Sequence, residues 1–254
     1  MGLTALAGYR FPEYQWSFDA ERVLALNQAI GMPPNCNQPP TLAYSADMDR
    51  DVVRQLFTLT GLEAHQLLHG EQHFRYLQPL QPGLVYRSSA HLSEVITKPR
   101  FSLLHKQTRL FAADGSLACE MLSLYVALLK PGAPSVGPVL ETQDTQPVLA
   151  ATEINREQIR AFASASGDHN RVHLEPAIAQ MAGHPDVFAQ GMLGMGLLGS
   201  LLPGSRLRRF GVRFLSPIAL GDHPRLYQAG GTRLNLILAN EHNRIRIRGY
   251  AELD

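Results

Sequence analysis

Three residues have the types and spacing for acid–base chemistry: Asp168, Asn170 and His173, in the order Asp-x-Asn-x-x-His. A carboxylate and an imidazole on one tight loop can share a water molecule as an acid–base pair, if the loop brings both within hydrogen-bond reach of it. Asn170, between them, can orient that water or brace the carboxylate. Further on, Gly191 opens a run with almost no polar group. A backbone N–H at the N-terminus of a buried helix suits a developing negative charge, and glycine lets a ligand approach closely. The same residues also have an ordinary use. Asp and Asn after a helix commonly bond nearby backbone in a turn, and the remaining histidines sit in no comparable motif.

Helix signals flank this loop. Asn155 is a good N-cap, and Gln158 can close a capping box with it. Ile154 and Ile159 are spaced as a hydrophobic staple. Ile159, Phe162, Ala163 and Ser166 recur at helical spacing, and Gly167 is a natural stop. From Gly191 to Leu202 the pattern predicts a helix apolar on every side, hence buried. Gly194, Gly196 and Gly199 lower its intrinsic propensity and permit close approach by whatever wraps it.

The 254 residues allow one large domain or two small ones. With 45% hydrophobic and 18% charged residues the chain reads as globular. A net charge of +1 supplies no bulk field for nucleic acid or a membrane. Cys36 and Cys119 form neither a disulfide framework nor a repeated metal-ligand spacing, which suits a reducing cytoplasm. No basic, apolar leader opens the chain, and the apolar run at 191–202 is too short to span a bilayer.

Along the chain, helices are expected at Phe18–Ile30, where Asp19 can cap, and at Val52–Leu59, which Gly61 stops. Residues 31–45 are rich in Pro and Asn and read as loop. Strands are expected at 72–77, 84–96, 101–112 and 117–128, with Asp114-Gly115 as a tight-hairpin signal. A Pro/Gly-rich linker follows over 131–148. Beyond it the order helix, loop, helix, strands repeats, with strands at 207–215, 223–229, 232–239 and 243–252. The segment Phe74–Gly83 echoes Val212–Gly221, with Arg, Leu, Pro and Gly coinciding. Two homologous α+β halves are therefore expected, 1–130 and 149–254. The first has no Asp-x-Asn-x-x-His near residues 29–35, and is expected to serve as scaffold or substrate-holding surface.

The segment Gly167-Asp168-His169-Asn170-Arg171-Val172-His173, followed by Glu175-Pro176, resembles the signature of MaoC-like (R)-specific enoyl-CoA hydratases. Val187-Phe188-Ala189-Gln190-Gly191-Met192 resembles the family's entry into its central helix, and Phe214–Asp222 its strand-turn motif. With the internal repeat, the resemblance implies a double hotdog, two curved antiparallel sheets each associated with a central helix. It implies reversible addition of water to trans-2-enoyl thioesters, with Asp168, Asn170, His173 and Gly191 as site residues. It needs no metal or redox cofactor. The implied partner is an acyl-CoA or acyl-carrier-protein thioester, with neither nucleic acid nor membrane, and a homodimer is left open. Arg171 stands where the family usually has Pro, and Gln190 where it has His. The competing readings are a hotdog thioesterase, against which Asp-x-Asn-x-x-His argues, and a non-catalytic acyl-binding subunit.

The last stretch, from 201 onward, holds nine arginines, no lysine and four acids. A coenzyme A tail carries phosphates, which arginine suits by bidentate contact. Arg206, Arg208 and Arg213 are accordingly expected at the substrate's phosphate end, although for any single arginine a solvated sheet face is the simpler reading.

Overall fold

The computed structural model describes residues 2–32, 38–63, 65–129, 136–140, 147–202 and 207–254. Its strands are β1 (Tyr14–Trp16), β2 (Leu67–Tyr76), β3 (Tyr86–Thr97), β4 (Phe101–Phe111), β5 (Leu117–Leu128), β6 (Leu149–Ala150), β7 (Leu207–Phe214), β8 (Arg225–Gly230), β9 (Arg233–Ala239) and β10 (Ile245–Leu253). The helices are α1 (Ala20–Ala29), α2 (Ser45–Asp49), α3 (Val52–Thr60), α4 (Arg156–Ser166), α5 (Pro176–Met181) and α6 (Gly191–Gly199). All eight long strands overlap the expected segments, although β2 starts earlier, at Leu67. Four of these elements were not expected: β1, β6, α2 at the edge of the Pro/Asn loop, and α5 after the motif. Most of the expected linker lies outside the described residues. Its middle part pairs with the turn before β10, where Ile245 donates to the Pro138 carbonyl at 2.8 Å.

The two sheets join edge to edge into one antiparallel sheet of ten strands, ordered β1-β3-β4-β5-β2-β7-β10-β9-β8-β6. The join is β2 against β7, with Glu71 opposite Arg213, His73 opposite Gly211 and Arg75 opposite Arg209. The offset that carries Phe74 to Val212 also carries Glu71 to Arg209 and Arg75 to Arg213. The pairing is thus symmetric about His73–Gly211. Gly83 and Gly221, which close the two echoing segments, both have left-handed backbone, φ 80° and 86°. Each donates to the carbonyl just before the N-cap of a helix: Gly83 to Phe18 at 2.8 Å, ahead of α1, and Gly221 to Ile154 at 2.9 Å, ahead of α4.

Helices α1 and α4 pack on each other with the same reciprocity. Arg22 Nε donates to the Ala165 carbonyl at 3.0 Å, and Gln158 Nε2 to the Ala29 carbonyl at 3.0 Å. Gln158 therefore does not close the expected capping box. Asn155 still caps, its Oδ1 accepting from the Gln158 N–H at 2.8 Å, but the Gln158 side chain bonds the last turn of α1 instead.

Helix α6 is wrapped as its glycines suggested, and its residues after Gly191 are all buried. A Cβ on Gly194 would lie 2.4 Å from Ile218 Cδ1 and 2.6 Å from Ile247 Cδ1, and one on Gly196 would lie 2.7 Å from Ile30 Cγ2. On the β7 face toward α6, Phe210 and Val212 are buried. On the other face lie Arg209, Gly211 and Arg213, as alternation requires. Among the described residues no helix is long and apolar enough to cross a membrane.

Candidate active site

The motif loop begins where α4 stops. Gly167 takes the left-handed conformation, φ 82°, and a Cβ there would lie 3.1 Å from Met48 Cβ on α2. Beside it the Arg22 guanidinium grips Asp49 with both amino groups, at 2.5 and 2.8 Å, and Trp16 Nε1 donates to the same carboxylate at 3.0 Å. Residues of the first half thus back the motif of the second.

Within the loop, turn chemistry and candidate catalytic groups coincide. Asp168 Oδ1 accepts from the Asn170 N–H at 3.2 Å, and Asn170 Oδ1 accepts from the Val172 N–H at 3.3 Å, starting a short 3-10 helix through His173. One Asp168 oxygen is so fixed; the other has no hydrogen-bond partner among the described residues. Arg171, in the place of the family's proline, pairs with Glu175 at 2.7 and 2.8 Å across the turn. Both are solvated, so the pair adds little to stability.

His173 Nδ1 lies 2.9 Å from the Phe188 carbonyl. A carbonyl only accepts, so Nδ1 carries the proton, and in the neutral ring Nε2 presents a bare lone pair. Burial holds His173 below the ordinary histidine range, opposed by the nearby Asp168 carboxylate and by the bond to Phe188. The Phe188 ring sits edge-on to the imidazole at 4.8 Å.

Phe188 leads directly into α6. Its N-cap, Gln190, makes no side-chain cap. Fully buried, Gln190 instead donates from Nε2 to the Ile159 carbonyl on α4 at 3.2 Å. First-turn N–H groups have no intrahelical acceptor, and the Gly191 N–H makes no turn, loop or cap bond among the described residues. A Cβ on Gly191 would come within 3.0 Å of the Phe214 ring, so glycine is needed for the approach.

Phe214 links Gly191 to the first half. Its ring centroid lies 5.0 Å from that of His69, which is stacked between Tyr44 (5.3 Å) and Tyr125 (4.9 Å). Burial pushes both tyrosines up, and the Asp168 carboxylate adds to the shift in each. No sequence pattern singled out this cluster. The one signal was Gly70 inside a strand, which marks a bulge.

The candidate phosphate ligands are placed differently. Arg208 pairs with Asp254, and Arg213 pairs with Glu71 at 3.2 Å on the sheet face opposite Phe214. Arg206 lies outside the described residues. An open groove of about 900 Å³ runs between α1 and α4 and meets the motif at Gly167 and His169, but not at Asp168, Asn170 or His173.

Comparison with known proteins agrees with this geometry. The MaoC-like domain family matches residues 135–229. Residues 27–121, in the other half, match the FAS1-like dehydratase domain region. The 3-hydroxyacyl-thioester dehydratase X of Mycobacterium tuberculosis is 32% identical over 114 residues, 41% of this chain and 40% of that protein's length. The crystal structure of HtdX from the same organism superposes with a TM-score of 0.78 at 20% identity, covering 94% of this chain and 99% of that one. A conserved hypothetical protein of M. tuberculosis, described as having a double hotdog fold, superposes with a TM-score of 0.61 at 12% identity over 98% of this chain and 96% of its own. The fold of the described residues is the double hotdog.

Proposed function

We propose that this protein is a hydro-lyase, an (R)-specific enoyl-CoA hydratase working equally as a 3-hydroxyacyl-thioester dehydratase. The observation that carries the reading is the His173–Phe188 bond. It fixes the tautomer in which Nε2 can take a proton, on a loop shared with Asp168 and next to the helix that Gly191 opens. In hydration, Asp168 and His173 hold one water between them. As its oxygen attacks the β-carbon, its proton passes to the pair, and a proton is returned to the α-carbon. Asn170 braces the Asp168 turn. The Gly191 amide stabilises the enolate oxygen of the thioester. The relative named as a 3-hydroxyacyl-thioester dehydratase supports the same chemistry.

In this reading the chain divides into a 1–130 half without the motif and a 149–254 half that carries it, and it works in the cytoplasm on CoA or carrier-protein thioesters. The phosphate end is proposed for Arg208 and Arg213. Each must exchange its carboxylate partner for phosphate, so Arg208→Ala or Arg213→Ala would raise the Michaelis constant with turnover unchanged. Unaltered kinetics would leave both as surface ion pairs.

The test is incubation with trans-2-enoyl-CoA. Loss of the enoyl absorbance with formation of the (R)-3-hydroxy product supports the proposal. Release of free thiol with the double bond retained would replace it with a thioesterase.

A further inference from the structure

Strand β2 carries a bulge. Its register against β5 shifts between His69 and Glu71, with His69 opposite Tyr125 and Glu71 opposite Leu124. In an unbroken strand, His69 would share the outer face with Glu71 and His73. The extra residue, Gly70, turns it inward. Bulges re-aim side chains and are common beside active sites.

The inward ring is held from all sides. Tyr44 and Tyr125 both stack against it, 21° and 18° from parallel. Ser123 Oγ donates to Gln72 Oε1 at 2.7 Å, and His69 Nε2 lies 3.2 Å from that same oxygen. An amide oxygen only accepts, so Nε2 carries the proton, and Nδ1 faces the Tyr44 hydroxyl at 3.5 Å. The two tyrosine hydroxyls bond each other at 3.0 Å. Burial drives the His69 pKa down to about 3, so the ring is neutral; Lys106 also lowers it, while its bond to Gln72 opposes. Lys106 itself is fully buried in an ion pair with Asp47, which also accepts from Thr108 Oγ1 at 3.0 Å.

We propose that the Tyr44–His69–Tyr125 stack, aimed inward by the bulge at Gly70, closes the acyl end of the pocket and restricts the enzyme to short 2-enoyl thioesters. This rests on the hydratase reading above. With the thioester oxygen on the Gly191 amide, the neighbouring wall is Phe214, and the layer behind it is His69. Close to the stack lies the buried Asp47–Lys106 pair, whose charges act on the His69, Tyr44 and Tyr125 side chains. Stacked faces leave no slot for a run of methylenes, and an alkyl tail entering there would have to separate the rings and break their mutual bonds. Because those polar atoms already bond one another, the wall blocks length rather than recognising a polar substituent.

The experiment compares kcat/KM for trans-2-butenoyl-, trans-2-octenoyl- and trans-2-dodecenoyl-CoA, in the wild type, His69→Ala and Tyr44→Leu, with folding checked by thermal unfolding. The wild type is expected to favour butenoyl over dodecenoyl by about tenfold or more, a step that a pocket misfit of one or a few methylenes supplies. Either folded variant is expected to cut that ratio by about tenfold. Equal rates at all lengths, or a preference for dodecenoyl, would overturn the proposal and leave the hydratase reading standing. So would an unchanged ratio in a folded variant. If neither variant folds, the wild-type profile decides. A wild type that hydrates no chain length would remove both readings together.

Discussion

The ring of His173 is oriented by a backbone atom: its Nδ1 lies 2.9 Å from the carbonyl of Phe188, on the segment that runs into Gly191. In the proposed reaction, His173 as proton acceptor and the Gly191 amide as oxyanion donor would thus be tied by one short stretch of chain. Asp168 reaches the same region from the end of α4.

This arrangement predicts that Asp168→Asn and His173→Ala each lower hydration by roughly a hundredfold to ten-thousandfold. Asn at 168 keeps the size and the turn bond to Asn170 but loses the carboxylate, so it tests chemistry rather than folding. If both groups serve one water, the double variant is little worse than the poorer single one. Steady-state hydration of folded variants measures this. Full activity in Asp168→Asn removes that residue from the mechanism.

Acid should affect activity and stability at different points. His173 must be neutral to accept a proton, and its pKa lies below the ordinary value of 6.5, so kcat/KM should hold until the pH falls below that value. For stability the sign follows from the unfolded chain, which takes up protons more readily than the fold does. His69 titrates near 6.5 unfolded and about 3 folded. Its contribution is present above pH 6.5 and is lost as the pH falls toward 3. Melting temperature against pH should decline less steeply over this window in His69→Asn. An equal slope would count against the buried neutral ring.

The Asp47–Lys106 pair is wholly inaccessible. Lys106→Met leaves the Asp47 charge buried with only Thr108 to support it, and should cost about 3–5 kcal/mol in denaturant unfolding. Removing both charges, as Asp47→Leu with Lys106→Met, should recover most of that loss. A single variant as stable as wild type would contradict the burial.

Helix α6 offers a graded comparison. Alanine gains about 1 kcal/mol of helix propensity over glycine. At Gly199 the added methyl would meet Pro40 at 3.2 Å, whereas at Gly194 it would meet two buried isoleucines at 2.4 and 2.6 Å. Overpacking costs about 1–3 kcal/mol. Gly194→Ala should therefore be the less stable of the two, measured by chemical unfolding.

How much of this was legible depends on whether a residue's partner is near it in sequence. The cap at Asn155, the stop at Gly167 and the glycine-rich α6 are local signals, and the structure follows them. The echo of Phe74–Gly83 in Val212–Gly221 was enough to anticipate the repeated order of elements, and the β2–β7 register obeys the same offset. Gln158 misled because two partners, the Asn155 N–H and the Ala29 carbonyl, competed for one side chain, and the winner, Ala29, sits on another helix. Asp47 and Lys106 drew no expectation, because nothing near either in sequence shows the other. His69 looked unremarkable because a bulge, not its position in the alternation, decides which face it occupies. Arg213 drew attention by composition alone, and alternation sends it to the face away from Phe214.

The ten-stranded sheet ends at both sides in stubs: three residues in Tyr14–Trp16 and two in Leu149–Ala150. A long outer strand offers a row of unpaired N–H and C=O groups on which another chain can build. Here the outermost rungs are too short for that, and they shield part of the longer β3 and β8. The β2–β7 join has meanwhile used up the inner edges on which two separate halves could have met strangers. Edge-to-edge growth into fibres is thus discouraged where these rungs lie among the described residues.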